Sequence, residues 1–200
     1  MNLLDHPRIV INQKPKLIEL TNEYLIRDPE GTEIGVIRQE GQTTLKKLAR
    51  FVSSVDQFMT HKLAAYDSDG SKVLEIVRPR KIVKSTVEVY DGAGHLAGTI
   101  RQQNVFGKIR FGLHGSTDEK LGEIRAENWR AWNFAIVDQF EAEVGRITKT
   151  WEGFAKTIFT TADNYLLEVS PSLTGPLRLL AFAAAVGVDT ALKQDSRGLN

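Results

Sequence analysis

With 26 Lys and Arg against 25 Asp and Glu in 200 residues, the chain is long enough for one domain with a sizeable core and carries a net charge of +1. It has no cysteine, which excludes disulfides, thiolate metal sites, cysteine nucleophiles and S-acylation. The near-neutral charge, without an exposed ladder of aromatics, argues against nucleic acid as a partner; the first twenty residues show no secretory signal pattern, so a cytoplasmic location is expected.

In chain order, Arg8 to Leu20 predicts two short strands around Gln13-Lys14-Pro15. The segment IRDPEGTEIGVI (26–37) then returns as AYDSDGSKVLEI from Ala65, VYDGAGHLAGTI from Val89, LHGSTDEKLGEI from Leu113 and IVDQFEAEVGRI from Ile136. The Asp (Gly115 in the fourth copy) recurs at intervals of 39, 24, 24 and 23 residues. Seven positions after it stands Gly35, Leu74, Gly98, Gly122 or Gly145, and nine after it stands an Ile in all five copies. Each copy reads as strand, polar turn, strand. The recurrent Gly is either a bulge that bends the second strand or a place where another backbone comes close.

The longer interval after the first copy contains TTLKKLARFVSSVDQFM, whose Leu45, Leu48, Val52, Val55 and Met59 keep helical spacing. It predicts an amphipathic helix over about 43–59, packed on the outside or lying on a membrane surface. After the fifth copy, NYLLEVS predicts a last strand. Thr174-Gly175-Pro176 then opens a helix over about 176–193. Its ten residues from Leu179 to Val188 carry no charge and are apolar all round. Such a helix is enclosed by protein or spans a membrane. A span needs about 20 apolar residues, and Arg178 and Asp189 close this run at ten, so enclosure is expected, with Ala183, Ala184 and Gly187 buried.

Five hairpins and two flanking strands make about twelve, and a sheet of that size must close or split. A closed sheet of about eight strands fills itself, whereas eleven or so leave room for a helix. The expected fold is therefore mostly β, one domain over 1–200: a closed antiparallel barrel around its own C-terminal helix.

The chain shows no constellation for catalysis. The histidines at 6, 61, 95 and 114 are scattered, without a zinc spacing, and no GxSxG is present. Asp67-Ser68-Asp69-Gly70 sits where every other copy has a turn and reads as one. Charge is uneven: eight Lys and Arg against three acids from Lys72 to Arg110, then three against seven from His114 to Gly145. This asymmetry could orient the protein on an anionic surface.

From Glu143 to Leu192 the chain resembles the phospholipid scramblase family of the tubby-like superfamily, in its bacterial or LURP-one-like soluble branch. The residues that carry the resemblance are Val144-Gly145-Arg146-Ile147, Lys149, Trp151, Gly153, Ala162-Asp163-Asn164-Tyr165 and the apolar helix after Pro171. Weaker similarity runs through Ile76-Val77-Arg78-Pro79 and back to IVINQK and TNEYLI. The resemblance implies a twelve-stranded barrel around a hydrophobic helix; that the protein is not an enzyme is expected from the missing catalytic constellation. The resemblance also implies a calcium segment, whose matching residues here are Asp163, Asn164 and Glu168. Thr161 and Ser172 stand where the family has Asp, so weak or no calcium binding is expected. Animal members carry a cysteine-rich acylation cluster after the position of Arg78-Pro79, where this chain has RKIVKS.

Two functions remain open. One is a peripheral protein that binds anionic phospholipid through Arg78, Arg80, Lys81, Lys84, Lys108 and Arg110, and takes part in phospholipid scrambling. The other is a soluble scaffold barrel for a small molecule or a protein partner. Neither needs a cofactor or a transmembrane span.

Overall fold

The computed structural model describes residues 2–13, 23–40, 61–79, 86–104, 107–127, 133–148 and 164–195. A 3-10 turn (Leu3–Asp5) precedes twelve strands. They are β1 (Arg8–Gln13), β2 (Glu23–Arg27), β3 (Glu33–Glu40), β4 (His61–Asp67), β5 (Lys72–Arg78), β6 (Thr86–Asp91), β7 (Leu96–Gln102), β8 (Arg110–Gly115), β9 (Lys120–Ala126), β10 (Asn133–Asp138), β11 (Glu143–Thr148) and β12 (Asn164–Val169). Each pairs antiparallel with its neighbours in sequence, and β1 pairs with β12 to close the barrel. The five repeats are the hairpins β2–β3, β4–β5, β6–β7, β8–β9 and β10–β11. The segments 14–22 and 43–59, with the second short N-terminal strand and the amphipathic helix expected there, lie outside the described residues.

All five hairpins share one turn. The N–H of Asp28, Asp67, Asp91, Gly115 and Asp138 donates to the carbonyl four residues on. The residue before that carbonyl has positive φ: Gly31, Gly70, Gly94, Asp118 and Glu141. This is the short loop ending in a left-handed residue that antiparallel strands favour. Just below each turn the pairing slips by one residue, at Ile26/Arg27, Ala65/Tyr66, Val89/Tyr90, Leu113/His114 and Ile136/Val137. Opposite four of these bulges stands the recurrent Gly, and opposite the fifth stands Leu74.

Both sequence readings of that Gly hold together. A Cβ on Gly35, Gly98 or Gly145 would come within 2.6, 2.2 or 2.8 Å of a carbonyl oxygen, that of Tyr66, His114 or Glu168. The room is used first by the next strand's backbone, and at Gly122 also by Leu177 of the central helix. The recurrent Ile points inward: Ile37, Ile76, Ile100, Ile124 and Ile147 are all buried in one core.

The helix α1 (Gly175–Asp195) runs through the lumen. Seven consecutive residues, Leu180 to Val186, are at most 2% exposed. Seven residues cover nearly two turns and hence every azimuth, so the walls enclose the helix on all sides there. It touches β12 and β7, which lie five places apart in the ring of twelve. Ala183 and Ala184 are buried as expected. Gly187 is not: it is partly exposed, and among the described residues nothing stands within 4 Å of where its Cβ would be. The tight part of the lumen ends before it.

Where α1 enters, the mouth is covered by the N-terminal turn. Leu3 is 1% exposed, and its N–H donates to Asp67 Oδ2 at 3.2 Å. Arg178 fastens turn to helix. Its guanidinium donates to the carbonyls of Leu4, His6 (3.1 Å) and Leu173 (2.8 Å). Burial holds the Arg178 guanidinium below its usual value, with Asp5 opposing.

Candidate functional site

Antiparallel order sends all five hairpin turns to one end of the barrel, with the start of α1. The connections between hairpins, including 103–109, join strands at the other end. At that loop end lie Arg78, closing β5, Lys108, and Arg110, opening β8. Arg78 and Arg110 are three strand spacings apart, about 14 Å around the wall. Alternation separates their faces. Arg78 has the inward parity of Leu74 and Ile76 and is half-buried at the lumen mouth, whereas Arg110 has the outward parity opposite to Phe111 and Leu113 and is exposed. Lys108 is also exposed. Arg80, Lys81 and Lys84 lie outside the described residues.

Around Arg110 the wall carries a cluster that the sequence did not single out. Arg125 on β9 is its cross-strand partner. Two like charges facing each other on an open sheet repel. Between them sits Glu123, 4% exposed. Its Oε1 accepts from Arg125 Nε at 3.2 Å and lies 3.8 Å from Arg110 Nη1, while its Oε2 accepts from Lys120 Nζ at 3.2 Å. Burial alone would push the Glu123 carboxyl up. The hydrogen bonds from Arg125 and Lys120, and their charges, outweigh it and hold the carboxyl below the usual range. Arg125 also donates to Glu141 Oε1 at 2.8 Å, and this bond, then that to Glu123, raises its guanidinium further. One buried carboxylate thus organises three cations.

A second network on β3, β4 and β5 joins Glu40, Tyr66, Lys72 and Glu75. The Tyr66 hydroxyl donates to Glu40, and Lys72 Nζ reaches Glu40 Oε2 at 3.1 Å and Glu75 Oε2 at 2.9 Å. The Tyr66 bond holds Glu40 low and Tyr66 high. Nothing here pairs a nucleophile with a base.

Of the three residues matched to the calcium segment, Asp163 lies outside the described residues. Asn164 and Glu168 are the first and fifth residues of β12. An extended strand puts their Cα atoms about 13 Å apart. Glu168 is engaged by Arg8 Nε at 2.9 Å. Among the described residues no group of three His, Asp or Glu could hold a metal. His95 is exposed beside Asp91, at 3.3 Å.

The class of protein that the fold defines is a closed twelve-stranded antiparallel barrel threaded by its own C-terminal helix, here with a cation cluster on its wall. Residues 2–192 match the family model described as Scramblase, and the chain belongs to that family. A phospholipid scramblase family protein of Schizosaccharomyces pombe is 25% identical over 162 residues, covering 74% of this chain and 41% of that protein. The chain therefore matches well under half the length of that curated relative. No solved structure matches significantly. No helix among the described residues is long and apolar enough to cross a membrane.

Proposed function

We propose that this protein is a non-enzymatic, peripheral binder of anionic phospholipid on the cytoplasmic side of a membrane, and that it takes part in phospholipid scrambling. Family membership supports the lipid, and the exposed cations Lys108 and Arg110 beside Arg125 support the mode. A Lys or Arg near an anionic leaflet contributes about 1 kcal/mol, so a handful gives reversible attachment. The apolar helix is a poor anchor. Withdrawing it would open the barrel, at a cost on the order of the whole folding stability, about 5–15 kcal/mol.

The test is flotation with vesicles of phosphatidylserine and phosphatidylcholine at low and high salt, with the double substitution Lys108→Gln and Arg110→Gln. Binding that weakens with salt and falls in the variant supports the reading. Binding indifferent to both would sink it. Transfer of a labelled lipid between leaflets, measured on the same vesicles, tests scrambling separately. A groove of about 910 Å³ along β1, β11 and β12, lined by Arg8, Glu143, Arg146 and Glu168 among others, favours the scaffold barrel as the second reading.

A further inference from the structure

The five hairpin turns differ at their left-handed residue. Three have glycine there, Gly31, Gly70 and Gly94, and two have an acid, Asp118 at φ +72° and Glu141 at φ +67°. Each acid reaches back to an arginine on the strand before its own hairpin. Asp118 Oδ1 lies 2.6 Å from Arg101 Nη2 on β7. Glu141 takes Arg125 on β9 with both oxygens, its Oε1 2.8 Å from Nη2. Register makes the two arginines equivalent. Arg101 pairs with Gly112 and Arg125 with Ala135, each three residues before the turn opens at Gly115 or Asp138. The same place beside the other hairpins is held by Asn12 opposite Leu25, Arg38 opposite Ala64 and Val77 opposite Glu88. Where the wall offers Asn12 or Val77, the turn has glycine. Where it offers Arg101 or Arg125, the turn has a carboxylate. Arg38, beside the hairpin of Gly70, is the exception.

Turn chemistry does not ask for these acids, since glycine takes positive φ without strain and serves the other three hairpins. Stability does not ask for them either. Their side chains are 67% and 60% exposed, exposed ion pairs contribute little, and a left-handed residue with a Cβ costs about as much as such a pair returns. Resting on the lipid-surface reading above, we propose that Arg101 and Arg125 are phosphate sites of the lipid-facing wall, and that Asp118 and Glu141 are built-in competitors for them. A carboxylate and a phosphodiester both offer a guanidinium two oxygens that match its fork. The two arginines project from one outer face: Arg101 is in register with Gly112 and Glu123, and Arg125 with Arg110. Their strands are two spacings apart, about 10 Å. As folded, Arg101, Arg110, Lys120 and Arg125 are met by Asp118, Glu123 and Glu141, so this wall presents little free charge. The competing carboxylates are tethered beside their arginines and act at high effective concentration. Sparse anionic headgroups do not displace them; a leaflet dense in such headgroups does. The two acids thus set the content of anionic lipid at which the protein attaches.

The test is flotation on phosphatidylcholine vesicles of rising phosphatidylserine content, comparing the parent with Asp118→Gly plus Glu141→Gly. Glycine already fills this turn position in three hairpins, so the pair should fold with a urea midpoint no lower than the parent's. Freeing two cations should raise vesicle affinity about 25-fold, about fivefold for each, and move attachment to a lower phosphatidylserine content. A second pair, Asp118→Asn plus Glu141→Gln, removes the charges without adding glycine and should show the same rise. A rise confined to the glycine pair would assign the effect to backbone freedom and overturn the competition. A control, Glu30→Gln plus Asp69→Asn, changes net charge equally at two exposed acids of other hairpins. An equal rise there would make the effect one of total charge and overturn the assignment to Arg101 and Arg125. A marked fall in the urea midpoint of the glycine pair, with affinity unchanged, would give the two ion pairs to the fold alone; lipid binding by the parent would still stand. If neither parent nor variants float at any phosphatidylserine content, the lipid reading falls and this proposal with it.

Discussion

Gly122 lies so close to Val137 that a Cβ on it would stand 2.3 Å from the Val137 carbonyl oxygen. The neighbouring atom is backbone in a paired strand and cannot swing aside. Gly122→Ala should therefore destabilise by about 1–3 kcal/mol, as overpacking does. Gly94→Ala tests the other requirement. There the space is open but φ is +88°, and the expected cost is about 1 kcal/mol. Urea midpoints of the two variants check both values, and a silent Gly122→Ala would refute the close approach.

The helix offers a matched pair. Ala184, 1% exposed inside the lumen, has no room for a larger side chain, and Ala184→Leu should cost about 1–3 kcal/mol. Gly187, three residues on, faces open space among the described residues. Gly187→Ala should stabilise by up to about 1 kcal/mol through helix propensity. Thermal unfolding of both variants locates where enclosure ends.

Glu123 links stability to pH. Its folded carboxyl titrates below the ordinary value of 4.5. Its contribution is therefore complete above 4.5 and lost as pH falls through the folded value. Glu40 and Glu75 act in the same direction. Stability should be flat near neutrality and fall on acidification below 4.5. Glu123→Gln should cost about 1–2 kcal/mol at neutral pH and flatten part of the acid limb. It also leaves Arg110, Lys120 and Arg125 without their shared carboxylate, so vesicle affinity should rise by about fivefold, the equivalent of one cation. Denaturation against pH and flotation read the two effects separately.

Arg178 presents its forked guanidinium to several carbonyls at once. Lysine has a single charged point and cannot reproduce that geometry. Arg178→Lys should cost about 2–3 kcal/mol by leaving acceptors unpaired. Amide exchange of the N-terminal turn should accelerate more than that of the β-strands. Equal acceleration throughout would argue against a local clamp.

The repeats made the hairpins and their inward Ile legible, because the turn chemistry and the period of two are local properties. The closed barrel followed by counting. Glu123 and the pairing of Arg110 with Arg125 were hidden by a single residue. Mirrored about the turn without a bulge, Arg110 would face Ile124; the slip at Leu113/His114 moves it to Arg125. A bulge is a compromise among three strands, and no one strand's sequence reports it. The placement of Arg78 was hidden for a related reason. A basic stretch looks uniform in sequence, yet alternation turned Arg78 toward the lumen mouth and left Lys108 and Arg110 outside.

The closing seam joins Arg8 to Glu168 and Asn12 to Asn164, partners about 160 residues apart in the chain. During synthesis, at about 5–20 residues per second, one edge of β1 waits roughly 8–30 s for its partner. The hairpins can form as they emerge, since each needs only neighbours. For that interval the nascent sheet is an open, curling strip with two bare edges and an apolar inner face, the form most prone to pair with another copy. Completion then depends on the last strand and the Ala-rich helix arriving together, one as the zip and the other as the filling.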